Sequence, residues 1–316
     1  MRRALSIPTL AALAAILLAG GLGLYVWLDA RETRLQGRSV RAWAFAYLGP
    51  DAPRREEAAQ VLRSAQDGAV RDLVRMVRTP DPPLTPLLKF AEGRLPEPIV
   101  RFLRLRIRPA DASAARIAGA YALGLLGPQA EPAVPHLAEL LRRGQPAERW
   151  AAATALGRIA TPAAVRVCVD LLAATNLSLH HPAVYALGEM GSAAAEAAPL
   201  LIQALGHPEG AVRASAADAL GRVSHEPSRI FLAAAQAGPS NARREAMQAL
   251  QRNPPPPRAG VPVLLELLED PDPAIRDQAA QTLRRIAGSQ PRVQEALKRL
   301  EGEGQPGEPG SPAPIP

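Results

Sequence analysis

The chain has 316 residues, of which 47% are apolar but only 3% aromatic, a balance that suits close-packed helices and argues against a sandwich or barrel. The formal net charge of +7 is unevenly placed: residues 29–110 hold 16 Lys+Arg against 10 Asp+Glu, whereas residues 111–316 hold 19 against 20. A nucleic-acid binder would carry a basic stripe along its main body, and the near-neutral C-terminal two thirds lack one.

Residues 1–6 carry Arg2 and Arg3 and are expected to form a short cytoplasmic N-terminus. From Ile7 to Leu28 there are 22 uncharged residues, enough for a helix that crosses a bilayer with some tilt. Tyr25 and Trp27 sit at one end, as interfacial aromatics do. A cleaved signal peptide would use Ala19 and Gly21 as its small-residue site. The apolar run continues past them, which favours an uncleaved transmembrane signal-anchor helix over residues 7–28. No cysteine adjoins the segment, so a lipid-modified cysteine does not anchor it. Arg31, Arg34, Arg38 and Arg41 on the far flank would, by the positive-inside count alone, keep the large domain in the cytoplasm. An apolar helix behind Arg-Arg is the layout of a signal anchor that exports the domain C-terminal to it. The expectation is a single-pass membrane protein with an extracytoplasmic C-terminal domain.

Residues 29–52 form a juxtamembrane segment and N-terminal cap. Residues 53–110 comprise a first helix pair, to residue 78, and an irregular insertion broken by Pro80, Pro82, Pro83, Pro86, Pro96 and Pro98. Within it Leu103 to Arg108 alternates apolar and basic residues, the pattern of an extended segment. Regular repeats occupy residues 111–300, with the stretch Arg252 to Arg258 (RNPPPPR) as a stiff linker between two of them. The Gly/Pro-rich residues 301–316 are expected to be disordered.

The repeat is carried by a small residue followed four places later by Leu-Gly, as in Ala152 to Leu156-Gly157. The marker leucines are Leu123, Leu156, Leu187, Leu220, Leu250 and Leu283, spaced 33, 31, 33, 30 and 33 residues apart, with a fainter copy at Leu62. A fixed period of this size signals a repeat array. Seven places before the Leu stands Arg55, Arg116, Arg149, Arg213, Arg243 or Arg276, with His180 in the remaining copy. Four before it is always Ala or Gly: Ala58, Gly119, Ala152, Ala183, Ala216, Ala246 and Ala279. These spacings fall on one face of an amphipathic helix, the second of each repeat. The Gly after the Leu is expected to weaken that helix near its end. The first helices read PHLAELL (Pro135–Leu141), PLLIQAL (Pro199–Leu205) and PVLLELL (Pro262–Leu268), with proline in the first turn. The clearest turn between repeats is EDPDPAIRD, Glu269 to Asp277.

Paired helices at this period, a DPDPAIR-type turn and an A-x-x-x-L-G box resemble HEAT repeats of the short type first named from phycobilin lyases. The resemblance covers roughly Pro53 to Leu300 and implies an all-α, right-handed α-solenoid. Residues 37–43, GRSVRAW, are similar to a Gly-Lys/Arg-Ser-x-x-x-Trp box that follows the anchor in bacterial membrane-anchored HEAT-repeat proteins. On that likeness Trp43, Phe45 and Tyr47 would cap the open N-terminal end of the array, the alternative being an aromatic belt at the membrane interface.

Few residues point to chemistry. Cys168, the single cysteine, falls where Leu137, Leu201 and Leu264 fall in other repeats and reads as a small buried hydrophobe. His136 replaces an apolar residue and reads as half-buried core, while His180, His181 and His207 read as turn residues. Deoxyhypusine hydroxylases, a HEAT-repeat enzyme family, hold two irons through several His-Glu pairs; here there is one such pair, His225-Glu226. The expectation is therefore no metal, no cofactor, no catalysis, no nucleic acid and no small-molecule substrate. Binding of a protein partner remains, through the second helices that line the concave face of a HEAT array. The residues expected to carry it are Tyr121, Trp150, Arg158, Tyr185, Glu189 and Arg222, since aromatics with arginine compose binding hot spots. The competing class is a repeat-based enzyme or nucleic-acid-binding HEAT protein on the same scaffold.

Overall fold

The computed structural model describes residues 32–65, 67–82, 90, 94, 96–101 and 109–303. The expected transmembrane helix (7–28), the alternating stretch at 103–108 and the residues from 304 to the end of the tail lie outside the described residues. No helix among the described residues is long and apolar enough to cross a membrane. The chain divides into two compact units, residues 1–155 and 156–316.

The first unit opens with a small antiparallel hairpin, β1 (Arg34–Leu35) and β2 (Arg38–Ser39). Its two-residue turn puts Gln36 at φ 50° and Gly37 at φ 78°, the left-handed pair that matches strand twist. The sequence pattern holds no strand signal here; four residues with a Gly-dependent turn are too short to show a period. Helix α1 (Val40–Leu48) comes next, capped by Ser39, whose side chain accepts from Ala42 N–H. Trp43 is buried and donates its indole N–H to Leu35 O at 2.8 Å, so it seals the hairpin onto α1. Phe45 and Tyr47 are not buried with it.

Helices then alternate in the expected way. Second helices α2 (Ala52–Arg63), α4 (Pro109–Leu126) and α6 (Pro146–Ile159) are separated by first helices α3 (Asp67–Val77) and α5 (Val134–Arg143). The boundary between the units falls inside α6. In the second unit the first helices are α7 (Pro162–Ala173), α9 (Ala198–Ala204), α11 (Pro227–Ala237), α13 (Pro257–Glu266) and α15 (Pro291–Glu303). The second helices are α8 (His180–Met190), α10 (Gly210–Val223), α12 (Ser240–Arg252) and α14 (Pro273–Ala287). Successive second helices pack on one another, α8 on α10, α10 on α12 and α12 on α14, each backed by its own first helix.

The box explains the packing. Leu62, Leu123, Leu156, Leu187, Leu220, Leu250 and Leu283 are all fully buried, as are Ala58, Ala152, Ala183, Ala216, Ala246 and Ala279 four places earlier. A methyl there lets the neighbouring helix approach closely while the leucine fills the space behind it. The Gly after the Leu lies in the last turn of its helix: α6 ends at Ile159, just past Gly157, and α8 at Met190, just past Gly188. A Cβ built on Gly157 would stand 2.6 Å from Glu189 Cβ, and one on Gly188 3.1 Å from Ala219 Cβ. These glycines admit the next second helix, a tertiary demand that no local signal encodes. The proline-rich linker is also shorter than expected, because Pro257 and Arg258 already belong to α13 and Pro262 lies within it.

Candidate partner-binding surface and the joints between repeats

Outward-facing positions of the second helices, two before the box Leu, carry exposed Gln60, Asp218, Gln248 and Gln281 and half-buried Tyr121 and Tyr185. Thr154 is the exception, buried with its hydroxyl donating to Trp150 O at 2.9 Å. In the first unit Tyr121 lies on α4 and half-buried Trp150 on α6. In the second unit Arg158 is exposed near the end of α6, with Tyr185 and Glu189 on α8 and Arg222 on α10. Glu189 and Arg222 form an ion pair that joins consecutive repeats. The same joint recurs one repeat on, where Arg252 donates to Asp218 at 2.6 Å, and again where Arg285 donates to Gln251 O at 2.6 Å. Arg222, Arg252 and Arg285, each two places after its box Leu, are thus bound to the preceding repeat. Such exposed pairs contribute only about 0–1 kcal/mol each, so a partner's carboxylate can compete for them at little cost.

The residue seven places before the box Leu has a different task. Arg149 Nε donates to Gly144 O at 2.9 Å, Arg213 Nη1 to His207 O at 2.8 Å and Arg276 Nη1 to Asp270 O at 2.7 Å. Each reaches back five or six residues to carbonyls of the turn that precedes its own helix. His180, the histidine in this register, bonds through Nε2 to Ala174 O at 2.7 Å, six residues back. It does the arginine's work with an imidazole.

Box cations also reach forward to the turn of the next repeat. Arg243 pairs with Asp270, a buried carboxylate that also accepts from Asp272 N–H at 2.8 Å. His180 Nδ1 meets His207 Nε2 at 3.1 Å, and His207 Nδ1 accepts from Glu209 N–H at 3.1 Å. His207 and Asp270 therefore occupy equivalent places, six before Arg213 and Arg276. The bonding partners fix the tautomers. His180 carries its proton on Nε2 for the Ala174 carbonyl, and His207 carries its proton on Nε2 for His180 Nδ1. Burial, followed by the neighbouring His180, lowers the pKa of His207. Sequence position alone makes these histidines separate turn residues; the equivalence with Arg243–Asp270 emerges only once the repeats are stacked.

Arg116 is the most enclosed of the joints. Its Nε and Nη2 donate to Glu148 Oε1 at 2.9 and 2.7 Å, Nη2 also to Asp81 Oδ1 at 2.7 Å, and Nη1 to Thr79 O at 2.8 Å. Glu148 is 2% exposed and takes a further bond from Gln145 N–H. Burial alone would lower the guanidinium pKa; the hydrogen bonds to Glu148 and Asp81 outweigh it and raise the value above the ordinary one. A polar groove of about 620 Å³ adjoins the cluster, lined in part by half-buried His136 and by exposed Glu139 and Arg143.

Two further features bear on chemistry. Cys168 is fully buried and its thiol is pushed up to about 12 by desolvation, so it is a packing residue and not a nucleophile. Among the described residues no group of three or more His, Cys, Asp or Glu converges to hold a metal ion. On the first-helix side of the second unit an apolar groove of about 750 Å³ opens between α9 and α11, with Ile202, Ile230, Ala233 and Pro239 in its walls. Ile202 is 38% exposed there. The sequence pattern directs attention to second helices and does not show this groove, which arises from spacing between first helices.

The chain is similar to the complex of CpcE and CpcF of phycocyanin lyase from Nostoc sp. PCC7120, at 20% identity over 84% of this chain and 94% of that one, with a TM-score of 0.38. It is similar to a designed armadillo repeat protein in complex with the peptide (KR)4, at 17% identity over 82% and 100%, TM-score 0.31. It is also similar to human deoxyhypusine hydroxylase in complex with glycerol, at 18% identity over 84% and 90%, TM-score 0.29. No curated protein matches the chain's sequence. The family described as HEAT repeats matches residues 169–251 and 228–306, the stretch that folds as α8 to α15 with part of α7 before it, and the chain thus carries HEAT repeats.

Proposed function

We propose that the protein is a membrane-anchored HEAT-repeat scaffold that holds a protein partner on its second-helix face. In this role the array coils as a right-handed α-solenoid with that face concave. Residues 7–28 form the transmembrane helix of a single-pass protein whose repeats lie on the extracytoplasmic side. The chain binds and does not catalyse, and it uses no cofactor, metal or nucleic acid.

The observation that carries this reading is how each second helix divides its residues. The box Leu and its Ala or Gly are spent entirely on the interior, while Tyr121, Trp150 and Tyr185 remain half-buried at outward positions. Large rigid aromatics supply contact area at low entropic cost, and Arg158 and Arg222 are exposed arginines on second helices.

Cross-linking in intact membranes, followed by identification of the attached protein, names the partner. Trp150→Ala should then weaken its capture by about thirtyfold, the loss of about 2 kcal/mol typical of an aromatic hot spot. The melting temperature should hardly move. A large fall in melting temperature would assign Trp150 to the core, and unchanged capture would move the binding surface elsewhere.

A further inference from the structure

The N-terminal hairpin and α1 form a surface unlike the rest of the first unit. α1 buries Val40, Trp43 and Ala44 and turns Arg41, Phe45 and Leu48 outward, spaced four and three residues apart on one helix face. Phe45 is 37% exposed and Leu48 41%. The Arg41 guanidinium lies 5.8 Å from the Phe45 ring centre, and that of Arg38 lies 5.1 Å from the ring of Trp43. Arg34, Arg38 and Arg41 are all exposed, and no acidic residue stands between Thr33 and Pro50. Exposed aromatic and leucine side chains ringed by arginine are what a segment at the headgroup boundary of a bilayer presents.

This surface is held firmly. Thr33 N–H donates to Asp72 Oδ2 at 2.6 Å, fixing the start of the hairpin to α3. Val40 N–H donates to Thr33 O at 3.1 Å and the Trp43 indole to Leu35 O at 2.8 Å, fixing α1 to the hairpin. Residues 29–33 join this anchored point to the apolar run that ends at Leu28. Fully extended, they reach about 18 Å at most. Surface charge is felt over a Debye length of about 8 Å at physiological ionic strength, so a short tether keeps the arginines in or near that layer.

We propose that the face of α1 formed by Arg41, Phe45 and Leu48, with Arg38 beside it, rests on the surface of an anionic lipid bilayer. Phe45 and Leu48 enter the boundary between headgroups and acyl chains, and the arginines bind lipid phosphates. This rests on residues 7–28 being inserted in the membrane, and it sets the orientation of the first unit at that membrane.

The test uses the full chain carrying Phe45→Cys, reconstituted into phosphatidylcholine vesicles with or without phosphatidylglycerol. Cys168 is buried and its thiol stays protonated, so an environment-sensitive fluorophore labels position 45 alone. In anionic vesicles the probe should shift to the blue and be quenched by lipids spin-labelled near the headgroup; in neutral vesicles both effects should be weak. Arg38→Gln/Arg41→Gln should raise several-fold the fraction of anionic lipid needed for half-maximal quenching. A chain that floats with the vesicles while its probe stays in water overturns the proposal and leaves the anchor intact. A chain that floats with neither vesicle overturns both. A blue shift without lipid quenching means that protein, either a partner or a second copy, covers the face, and also overturns it.

Discussion

The buried groups between repeats differ in what they lose when altered. Glu148→Ala strands Arg116 in a nearly closed site, where breaking a buried pair costs about 3–5 kcal/mol. The loss should fall near the lower end, since Asp81 and the Thr79 carbonyl still hold the guanidinium. Urea unfolding measures it, and Arg116→Met/Glu148→Leu should recover most of the loss because the pair leaves together. The histidine joint responds to acid instead. An added proton on His207 falls on Nδ1, where Glu209 N–H already donates, and it adds charge beside Arg213. The folded-state pKa of His207 is lowered, so the unfolded chain binds the proton more readily. Stability is therefore full above the ordinary histidine value of about 6.5 and falls as pH drops through it, until the depressed folded-state value is reached. The Arg243–Asp270 joint shows how to remove this dependence. His180→Arg/His207→Asp should rebuild that ion pair in the same register, and its urea midpoint should change less between pH 7.5 and pH 5.5 than that of the natural chain. An equal change in both would place the acid sensitivity in other groups.

At the scale of the helix, much is legible in the sequence because the box repeats. Periodicity picks out the buried leucines and their Ala or Gly partners, and the alignment that sets Cys168 among leucines locates a core position. What stays hidden depends on a neighbour remote in sequence. Gly157 and Gly221 occupy the same box position, yet a Cβ at Gly157 meets Glu189 Cβ at 2.6 Å while one at Gly221 meets nothing within 4 Å. Alanine is favoured over glycine inside a helix by about 1 kcal/mol. Gly221→Ala should therefore raise stability by up to that amount, whereas Gly157→Ala should lower it as α8 is pushed from α6. Thermal unfolding of both variants gives the comparison, and equal effects would mean that the glycine answers only to helix propensity. Of the candidate site, the sequence places the aromatics and arginines on outward positions. It does not reveal that Glu189 and Arg222 bind each other or that an apolar groove parts α9 from α11.

At the scale of a whole unit, contacts within each helix pair and between neighbouring pairs set the energetics. Each helix pair in a repeat array is stabilised by its own packing and by the pairs on either side. In the second unit α10 has a second helix against each flank, α8 and α12, and its own first helix behind it. Helix α15 packs on α13 and α14, with Val293 and Leu297 as its buried apolar anchors. Amides in such an array exchange through local openings whose free energy rises with the number of neighbours that must separate. Hydrogen exchange read by mass spectrometry should therefore show α15 exchanging first, α14 more slowly, and α10 near the rate set by opening of the whole unit. Leu220→Ala leaves a cavity at the centre of that stack, at a typical cost of about 2–5 kcal/mol. It should speed exchange in α8 and α12 as well as in α10, because the three second helices share the lost contact layer. If α15 proves as protected as α10 in the natural chain, something further packs on its outer side. If Leu220→Ala accelerates α10 alone, the repeats open independently and nearest-neighbour coupling is not what holds them.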